Sequence, residues 1–289
     1  MPLVRLPDAG GNTILLMKYG PHGYLGIPDA TEEHQSMVHT TPLRPDDVLL
    51  CSYPKTGCHW LWEIARMLLA GTTQIECTEK EKCMLEFASR EAVESVPSPR
   101  VLNTHFLFNQ LPQEVHKGQN KILFIYRNPK DVAVSFYNHH VKFPEYEYSG
   151  KFSDYLTLFL NGHLDSGSMF TYMRDWEAVI NSNPDLPIFV VSYEDLQEDT
   201  LEKTKELARF LESTASEEVV KEIVAKCSFN SMKERKGQQW TETFGEAVMY
   251  RKGKVGDWKT WFTVAESQMF DAVCEKEMPG TKFNFRYTF

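Results

Sequence analysis

Four short apolar runs of strand length lie along the chain, at residues 48–50, 100–104, 121–126 and 187–193. The run at 121–126 is unbroken, which is typical of a parallel strand covered on both faces of a sheet. A fifth segment, 13–19, alternates apolar and polar residues and predicts a small strand. We place this small strand in a peripheral N-terminal region, residues 1–40.

Segments of helical character follow most of these runs. Apolar residues recur at helical spacing from Leu61 until Gly71. Pro129 suits the first turn of a helix that continues through Phe136. Further helices are predicted at residues 80–90, 156–164, 169–180 and 201–211.

Strands that alternate with helices predict an α/β fold, with a central parallel sheet and helices on both faces. No linker rich in Pro, Gly or Ser divides the chain, and 289 residues with 42% hydrophobic side chains are enough for one substantial core. We therefore expect a single domain over residues 1–289. In such sheets the ligand binds beyond the carboxyl ends of the strands.

Composition excludes several classes of function. The net charge of −9 and the pI near 5.5 disfavour nucleic acid as a partner, which needs a broad basic face. The first 20 residues lack an apolar leader, and no apolar run approaches the ~20 residues of a membrane span. We expect a cytoplasmic protein without a membrane partner. The six cysteines show no CxxC pair and no zinc spacing, so we expect reduced thiols and no metal.

An abrupt turn follows the first apolar run, from Tyr53 to Gly57, and a helix is predicted directly after it. The turn contains Lys55 and Gly57, and backbone N–H groups at a helix start next to an ammonium group bind phosphate or sulfate. The spacing is not that of a nucleoside triphosphatase loop. Taken alone, the turn also fits an ordinary strand-to-helix connection.

The other strand ends carry similar chemistry. His105 follows the run at 100–104, Arg127 follows 121–126, and Tyr193 ends the run at 187–193. Each could singly be a loop histidine, a carbonyl-capping arginine or a packed tyrosine. Because carboxyl ends of parallel strands share one edge of a sheet, together they predict one anion-binding site.

The last third of the chain adds a basic, glycine-containing segment at residues 249–259. It could be a solvated, flexible loop, as most charge runs are. Its glycines beside Arg251 and Lys252 also allow backbone and side chains to close around a phosphate. Residues 233–243 before it are polar and unperiodic. We predict that residues 233–257 form an active-site flap and a phosphate loop.

Together these motifs resemble the cytosolic sulfotransferase family, from about residue 40 to the C-terminus. The matching segments are Tyr53-Pro-Lys-Thr-Gly57, Arg127-Asn-Pro-Lys-Asp-Val-Ala-Val-Ser135, Tyr193-Glu-Asp-Leu196 and Arg251-Lys-Gly-Lys-Val-Gly-Asp-Trp-Lys259. The resemblance implies a P-loop-like strand, loop and helix that bind 3'-phosphoadenosine 5'-phosphosulfate. It also implies transfer of the sulfuryl group to a hydroxyl or amine of a small acceptor, without a metal.

The resemblance also implies roles for individual residues. His105 would be the general base that takes the acceptor's proton during in-line attack, and Lys55 would neutralise charge on the leaving phosphate oxygen. The phosphosulfate would be held by Lys55, Thr56, Gly57, Cys58, His59 and Trp60. The 3'-phosphate would be bound by Arg127, Ser135, Arg251, Lys252 and Gly253. The adenine side would be contacted by Trp60, Tyr193 and Phe229, and Met232 would also bind the cofactor.

By the same resemblance, an aromatic pocket would receive the acceptor, so a phenol or apolar alcohol fits better than a sugar. Its lining is predicted to include Phe87, Phe106, Phe108, Phe136, Tyr137, Phe143 and Phe244. The family's dimer motif is met by Lys259, Thr263 and Val264, but Gln268 stands at its acidic position. The resemblance therefore predicts a homodimer through this segment, with one position of the motif not met.

Three residues depart from the family pattern. Cys58 and His59 stand where hydroxyl residues are usual, and Asn103 stands where a lysine precedes the histidine by two places. We hypothesise that His59 partly replaces this missing cation. Two other functions stay open: a protein of this fold that binds a nucleotide or hydrophobic ligand without turnover, and a nucleotide kinase that uses ATP with magnesium.

Overall fold

The computed structural model describes residues 3–20, 22–28, 38–76, 78–244 and 251–289, with backbone alone for 238–244. A small antiparallel sheet begins the chain, with the strands β1 (Leu3–Pro7), β2 (Thr13–Tyr19) and β3 (Tyr24–Gly26) in sequence order. The strand predicted at residues 13–19 is confirmed as β2, and its two neighbours were not predicted. Within the described ranges no helix is long and apolar enough to cross a membrane.

The central sheet has four parallel strands in the order β5-β4-β6-β7. These strands are β4 (Val48–Ser52), β5 (Val101–Thr104), β6 (Lys121–Tyr126) and β7 (Ile188–Ser192). All of β4 and five of the six residues of β6 are buried, because helices cover both faces of the sheet. The predicted α/β fold with a parallel sheet is confirmed.

Helices connect the strands and cover the sheet. Along the described residues the α-helices are α1 (Cys58–Ala70), α2 (Arg90–Ser95), α3 (Gln113–His116), α4 (Pro129–Lys142), α5 (Phe152–Leu160), α6 (Met169–Ser182), α7 (Tyr193–Glu198), α8 (Thr200–Leu211), α9 (Glu217–Lys226), α10 (Phe229–Phe244) and α11 (Val264–Glu277). Short 3₁₀ helices lie at Val38–Thr40, Lys80–Cys83, Phe108–Gln110, Pro144–Tyr146 and Asp257–Thr260.

The helix α1 follows the turn that ends β4 and packs against α8 and α9. It ends as predicted at Gly71, whose left-handed backbone lets its N–H donate to the Leu68 carbonyl. The indole of Trp62 is fully buried and donates to the Val101 carbonyl at 2.7 Å. This helix therefore fixes the turn before it against the edge of β5.

The prediction of a helix at residues 80–90 is wrong. Only Lys80–Cys83 is helical, as a 3₁₀ turn, and the chain then runs beside β5. The Leu85 N–H donates to the Asn103 carbonyl at 3.0 Å, so sheet-edge bonding replaces the helical bonds. The next helix, α2, begins later, where Ser89 accepts a hydrogen bond from the Ala92 N–H.

Two further helices differ from prediction. The helix expected at 156–164 is α5 (Phe152–Leu160), which ends early because Gly162 adopts a left-handed conformation at φ 67°. The helix α7 was not predicted. It starts directly after β7, where the Ser192 side chain accepts from the Asp195 N–H.

The polar segment at 233–243 lies within helix α10. Its polar side chains have a buried partner, because Lys236 and Arg235 both form ion pairs with Glu63 of α1. These ion pairs hold helix α10 against α1, which in most helices is done by a row of apolar side chains. Residues 245–250 lie outside the described residues, and the flap stays a prediction.

Candidate active site

One cavity of about 640 Å³ opens beyond the carboxyl ends of the central strands. Lys55, His105, Arg127 and Tyr193 all line it, each just past or near the end of a different strand. The chain segment at Arg251 closes one side. The structure therefore brings these four residues together around one cavity, as the sequence predicts.

The turn between β4 and α1 forms the floor of the cavity. Lys55 has a positive φ of 68°, and Gly57 has a φ of 108°. A Cβ at Gly57 would lie 2.7 Å from the Tyr193 ring, so only glycine fits there. The Thr56 hydroxyl does not line the cavity; it donates to the Tyr53 carbonyl at 2.8 Å and holds the turn.

The Lys55 ammonium group faces the cavity in a largely enclosed setting. Burial lowers the pKa of Lys55 to about 8, because enclosure disfavours the charged form. The ammonium donates to Nδ1 of His139 at 3.4 Å. Since Lys55 still carries a proton at neutral pH, it presents a positive charge beside the start of α1, where backbone donors also favour an anion.

His105 is held in one tautomer by its neighbours. Its Nδ1 lies 2.7 Å from the Ser52 carbonyl oxygen, which can only accept, so Nδ1 carries the proton. The other ring nitrogen, Nε2, is then left with a lone pair. The His105 backbone N–H donates to Glu86 at 2.7 Å. Burial, and then the charge of Lys80, lower the pKa of His105 to about 3, which keeps the ring neutral.

Arg127 reaches the cavity from the end of β6. Its guanidinium lies 4.1 Å from the centre of the Tyr193 ring and donates to the Lys254 carbonyl at 2.9 Å. Its buried Nε has no hydrogen-bond partner within the described part of the chain. Ser135, two turns along α4, lines the same cavity. The unsatisfied Nε–H of Arg127 suits an anionic ligand.

The basic segment after residue 250 is docked on the site. Arg251 and Lys252 bond to Asp257 at 2.5 and 2.7 Å. Burial raises the pKa of Asp257, but the hydrogen bonds from Lys252 and Arg251 outweigh it and lower that pKa below its usual value. Gly253 lies against the Phe229 ring so closely that a Cβ there would clash.

Aromatic residues line the end of the cavity nearest to this loop. The Trp60 and Tyr193 rings meet edge to face with centroids 5.6 Å apart, and the Trp60 Nε1 is buried with no partner among the side chains and backbone described. Phe229 and Met232, from the first turn of α10, also line this part. Rings of this kind provide faces on which a flat base can stack.

The other end of the cavity is bounded by aromatic and acidic side chains. Phe87, Phe136 and Phe143 line it as predicted, together with Glu145 and Asp165. The remaining predicted aromatic residues do not line it, so their assignment to the pocket is not supported by the geometry. These are Phe106, which packs into the core, Phe108, which contacts Trp176, and Tyr137, whose hydroxyl donates to the Gly150 carbonyl. The Phe244 side chain lies outside the described residues.

Cys58 and His59 both line the cavity at the start of α1. Burial, and then the charges of Lys80 and Lys55, lower the pKa of His59 well below its usual value. The ring is therefore neutral, and its Nε2 lies 3.4 Å from Glu81. The lowered pKa of His59 opposes the hypothesis that His59 replaces the missing cation.

Sequence reasoning missed much of the cavity wall, including the titratable residues Lys80, His139, Glu145 and Asp165. His139 could have been found, because it lies one helical turn after Ser135 on the predicted helix. Lys80 was assigned to a helix that does not form. Asp165 has no signal in the sequence, because only the packing of the loop before α6 brings it to the cavity.

Comparison with known proteins identifies the family. The family model described as the sulfotransferase domain matches residues 45–282. Sulfotransferase 1A1 of Mus musculus is 34% identical over 258 residues, covering 84% of this chain and 88% of that protein. Sulfotransferase 1B1 of Canis lupus familiaris is 32% identical over 260 residues, covering 84% and 87%.

Solved structures share the fold. The crystal structure of mouse sulfotransferase SULT7A1 complexed with PAP has a TM-score of 0.76 at 27% identity, covering 92% of this chain and 95% of that one. Retinol dehydratase in complex with androsterone and PAP has a TM-score of 0.74 at 18% identity, covering 99% and 98%, which is a likeness of fold. Since the domain match spans most of the chain and the relatives exceed 30% identity, the chain belongs to the cytosolic sulfotransferase family.

Proposed function

We propose that this protein transfers the sulfuryl group of 3'-phosphoadenosine 5'-phosphosulfate to a hydroxyl or amine of a small molecule. The observation that carries the proposal is the meeting of Lys55, His105, Arg127 and Arg251, from four separate segments, around one cavity. The family membership and the PAP complex of mouse SULT7A1 support the same donor.

The charged and aromatic side chains of the cavity suit this donor. Arg127 has an unused buried Nε, and Arg251 and Lys252 lie at the same end, so a phosphate on the ribose has several cationic donors. Trp60 and Phe229 offer faces for the adenine. At the other end of the nucleotide, the helix start at Cys58 and the Lys55 ammonium suit the phosphosulfate.

The donor supplies an activated sulfuryl group whose leaving group is a phosphate oxygen. His105 contributes a lone pair on Nε2, fixed there because Nδ1 donates to Ser52, and this nitrogen takes the acceptor's proton. Lys55 provides positive charge where the leaving oxygen becomes negative.

The acceptor is a small molecule with an apolar body. Phe87, Phe136 and Phe143 provide aromatic contacts, as in most small-molecule sites. Glu145 lines the same cavity, and its Oε2 is buried without a partner in the described structure. An acceptor with an amine or second hydroxyl at this end would satisfy that oxygen. Glu145→Gln should therefore weaken such acceptors more than it weakens simple phenols, measured as kcat/KM.

One assay separates the candidate functions. The purified protein is incubated with radiolabelled donor and a panel of phenols, alcohols and amines, with and without EDTA. EDTA-insensitive transfer is expected. Tight donor binding without any product would favour a binding protein that has lost turnover, and metal-dependent use of ATP would favour a kinase. The neutral, oriented His105 favours turnover over binding alone.

We also propose a homodimer through residues 259–268 and a cytoplasmic location. Val264 at the start of α11 is 76% exposed, and Lys259 and Thr263 are exposed beside it. Light scattering of Val264→Glu should show a monomer, while the control Leu3→Glu on β1 should leave the mass unchanged. A monomeric unmodified protein would contradict the dimer. Cell fractionation tests the location.

A further inference from the structure

Lys80 is a buried cation in the wall of the active-site cavity. It begins the 3₁₀ turn Lys80–Cys83 and is 3% exposed. Its ammonium donates to Oδ1 of Asn103 at 2.5 Å, and Nδ2 of Asn103 donates back to the Lys80 carbonyl at 2.9 Å. These two hydrogen bonds tie both the side chain and the backbone of Lys80 to Asn103 on β5.

The charge of Lys80 is not neutralised by its contacts. Asn103 Oδ1 is a neutral acceptor, and within the described ranges no ion pair joins the Lys80 ammonium to a carboxylate, although its charge acts on the buried carboxyl of Glu86. A buried charge without a counter-ion costs free energy unless a ligand supplies one. The cavity beside Lys80 is the place from which such an anion can reach it.

Lys80 acts on the same groups that face the transferring sulfur. After burial, the charge of Lys80 is the next cause that lowers the pKa of His105 and of His59, and it also lowers that of Lys55. A positive charge acts in this way only on groups close to it. The ammonium therefore lies near the proposed base and near the phosphosulfate turn.

We propose that Lys80 contacts the sulfuryl group of the bound donor and supplies the cation that Asn103 cannot. This inference rests on the proposed function. In the transfer, the bond from the acceptor oxygen to sulfur forms while the bond from sulfur to the phosphate oxygen breaks. The acceptor's proton goes to His105, and the electron pair of the broken bond stays on the phosphate oxygen. Lys80 stabilises the negative oxygens of the moving group, and Asn103 acts as its positioning residue.

The test compares two ligands that differ only by the sulfuryl group. In Lys80→Met, the affinity for adenosine 3',5'-bisphosphate, measured by calorimetry, should stay within about 2-fold, while kcat for sulfuryl transfer should fall about 100-fold. An unchanged kcat would overturn the inference. An equal loss of bisphosphate affinity would overturn it too, because it would show a structural role.

Matched variants sharpen this result. Lys82→Met removes a lysine of the same 3₁₀ turn whose side chain is 63% exposed, and should leave kcat unchanged. Lys80→Met/Asn103→Lys returns a cation to the same place from β5 and should recover most of the lost rate. If the double variant is as slow as Lys80→Met, a lysine at position 103 cannot take over the role of Lys80, and the inference is contradicted. If the unmodified protein neither binds the bisphosphate nor transfers sulfate, the proposed function itself fails.

Discussion

His105 and Ser52 lie on adjacent strand ends, and the Ser52 carbonyl decides which nitrogen of the ring keeps its proton. Burial keeps the ring neutral, so Nε2 has a free lone pair at neutral pH, and the same lowering of the pKa makes this nitrogen a weaker base than an exposed imidazole. The ring is half protonated only near pH 3, because burial and then the charge of Lys80 lower its pKa. The side chain is thus available over the whole neutral range.

Replacing His105 tests this role directly. His105→Gln keeps a side chain that can bond to Ser52 but has no base at the cavity, so kcat should fall about 10²- to 10⁴-fold. Calorimetry should show nearly unchanged affinity for adenosine 3',5'-bisphosphate. A variant with full turnover would mean that another group, such as His139, takes the proton.

The pKa of Lys55 gives a prediction about pH. The ammonium is charged below pH 8 and loses its charge above, because burial lowers its pKa to about 8. An anionic donor prefers the charged form, so donor affinity should be constant from pH 6 to 7 and decrease as pH rises above 8. Lys55→Arg, which stays charged, should remove this decrease. A pH-independent affinity in the unmodified protein would contradict the prediction.

At the scale of secondary-structure elements, the turn before α1 depends on one glycine. Gly57→Ala must adopt a strained positive φ and place its Cβ against Tyr193, so we expect a loss of about 1–3 kcal/mol in unfolding free energy and much weaker donor binding. Gly280→Ala is the control, because Gly280 also has a positive φ of 68° but has open space around it. Urea unfolding and calorimetry measure the two effects. Equal effects of the two substitutions would show that the contact with Tyr193 is unimportant.

The same elements show what the sequence can and cannot predict. Strand β6 and the stop of α1 at Gly71 were predicted because a continuous apolar run and a left-handed glycine are local signals. The 3₁₀ turn at Lys80 was not, because its conformation depends on bonds to Asn103, which is distant in the sequence. Motif residues of the site were predictable, whereas the acidic and cationic residues that only packing brings to the cavity were not.

At the scale of the whole molecule, α10 is joined to α1 by charge. Glu63 is 1% exposed and pairs with Lys236 and Arg235, and the first turn of α10 carries two residues of the cavity wall. Breaking a buried pair leaves a charge without compensation, which costs about 3–5 kcal/mol. The position of these two cavity residues therefore depends on a carboxylate on another helix.

Glu63→Gln should thus lower the free energy of unfolding by roughly 3 kcal/mol and weaken donor binding more than it lowers kcat. The control is Glu94→Gln, which breaks an exposed pair with Arg90 and should cost less than about 0.5 kcal/mol. Denaturant titration and initial-rate kinetics provide the two readouts. If both substitutions lower the free energy of unfolding by the same amount, the ion pairs of Glu63 do not hold α10 in place.

The loop that contains Arg251 and Lys252 has a carboxylate of its own, Asp257, bonded to both cations. In the free protein this internal counter-ion offsets part of the repulsion between two like charges held side by side. Any anion that approaches this loop therefore meets two cations already bonded to Asp257 and must compete with that carboxylate for them. Under the proposed function, binding of the donor's phosphate at this loop would be an exchange between two anions, with Asp257 ready to pair again with both cations when the product leaves.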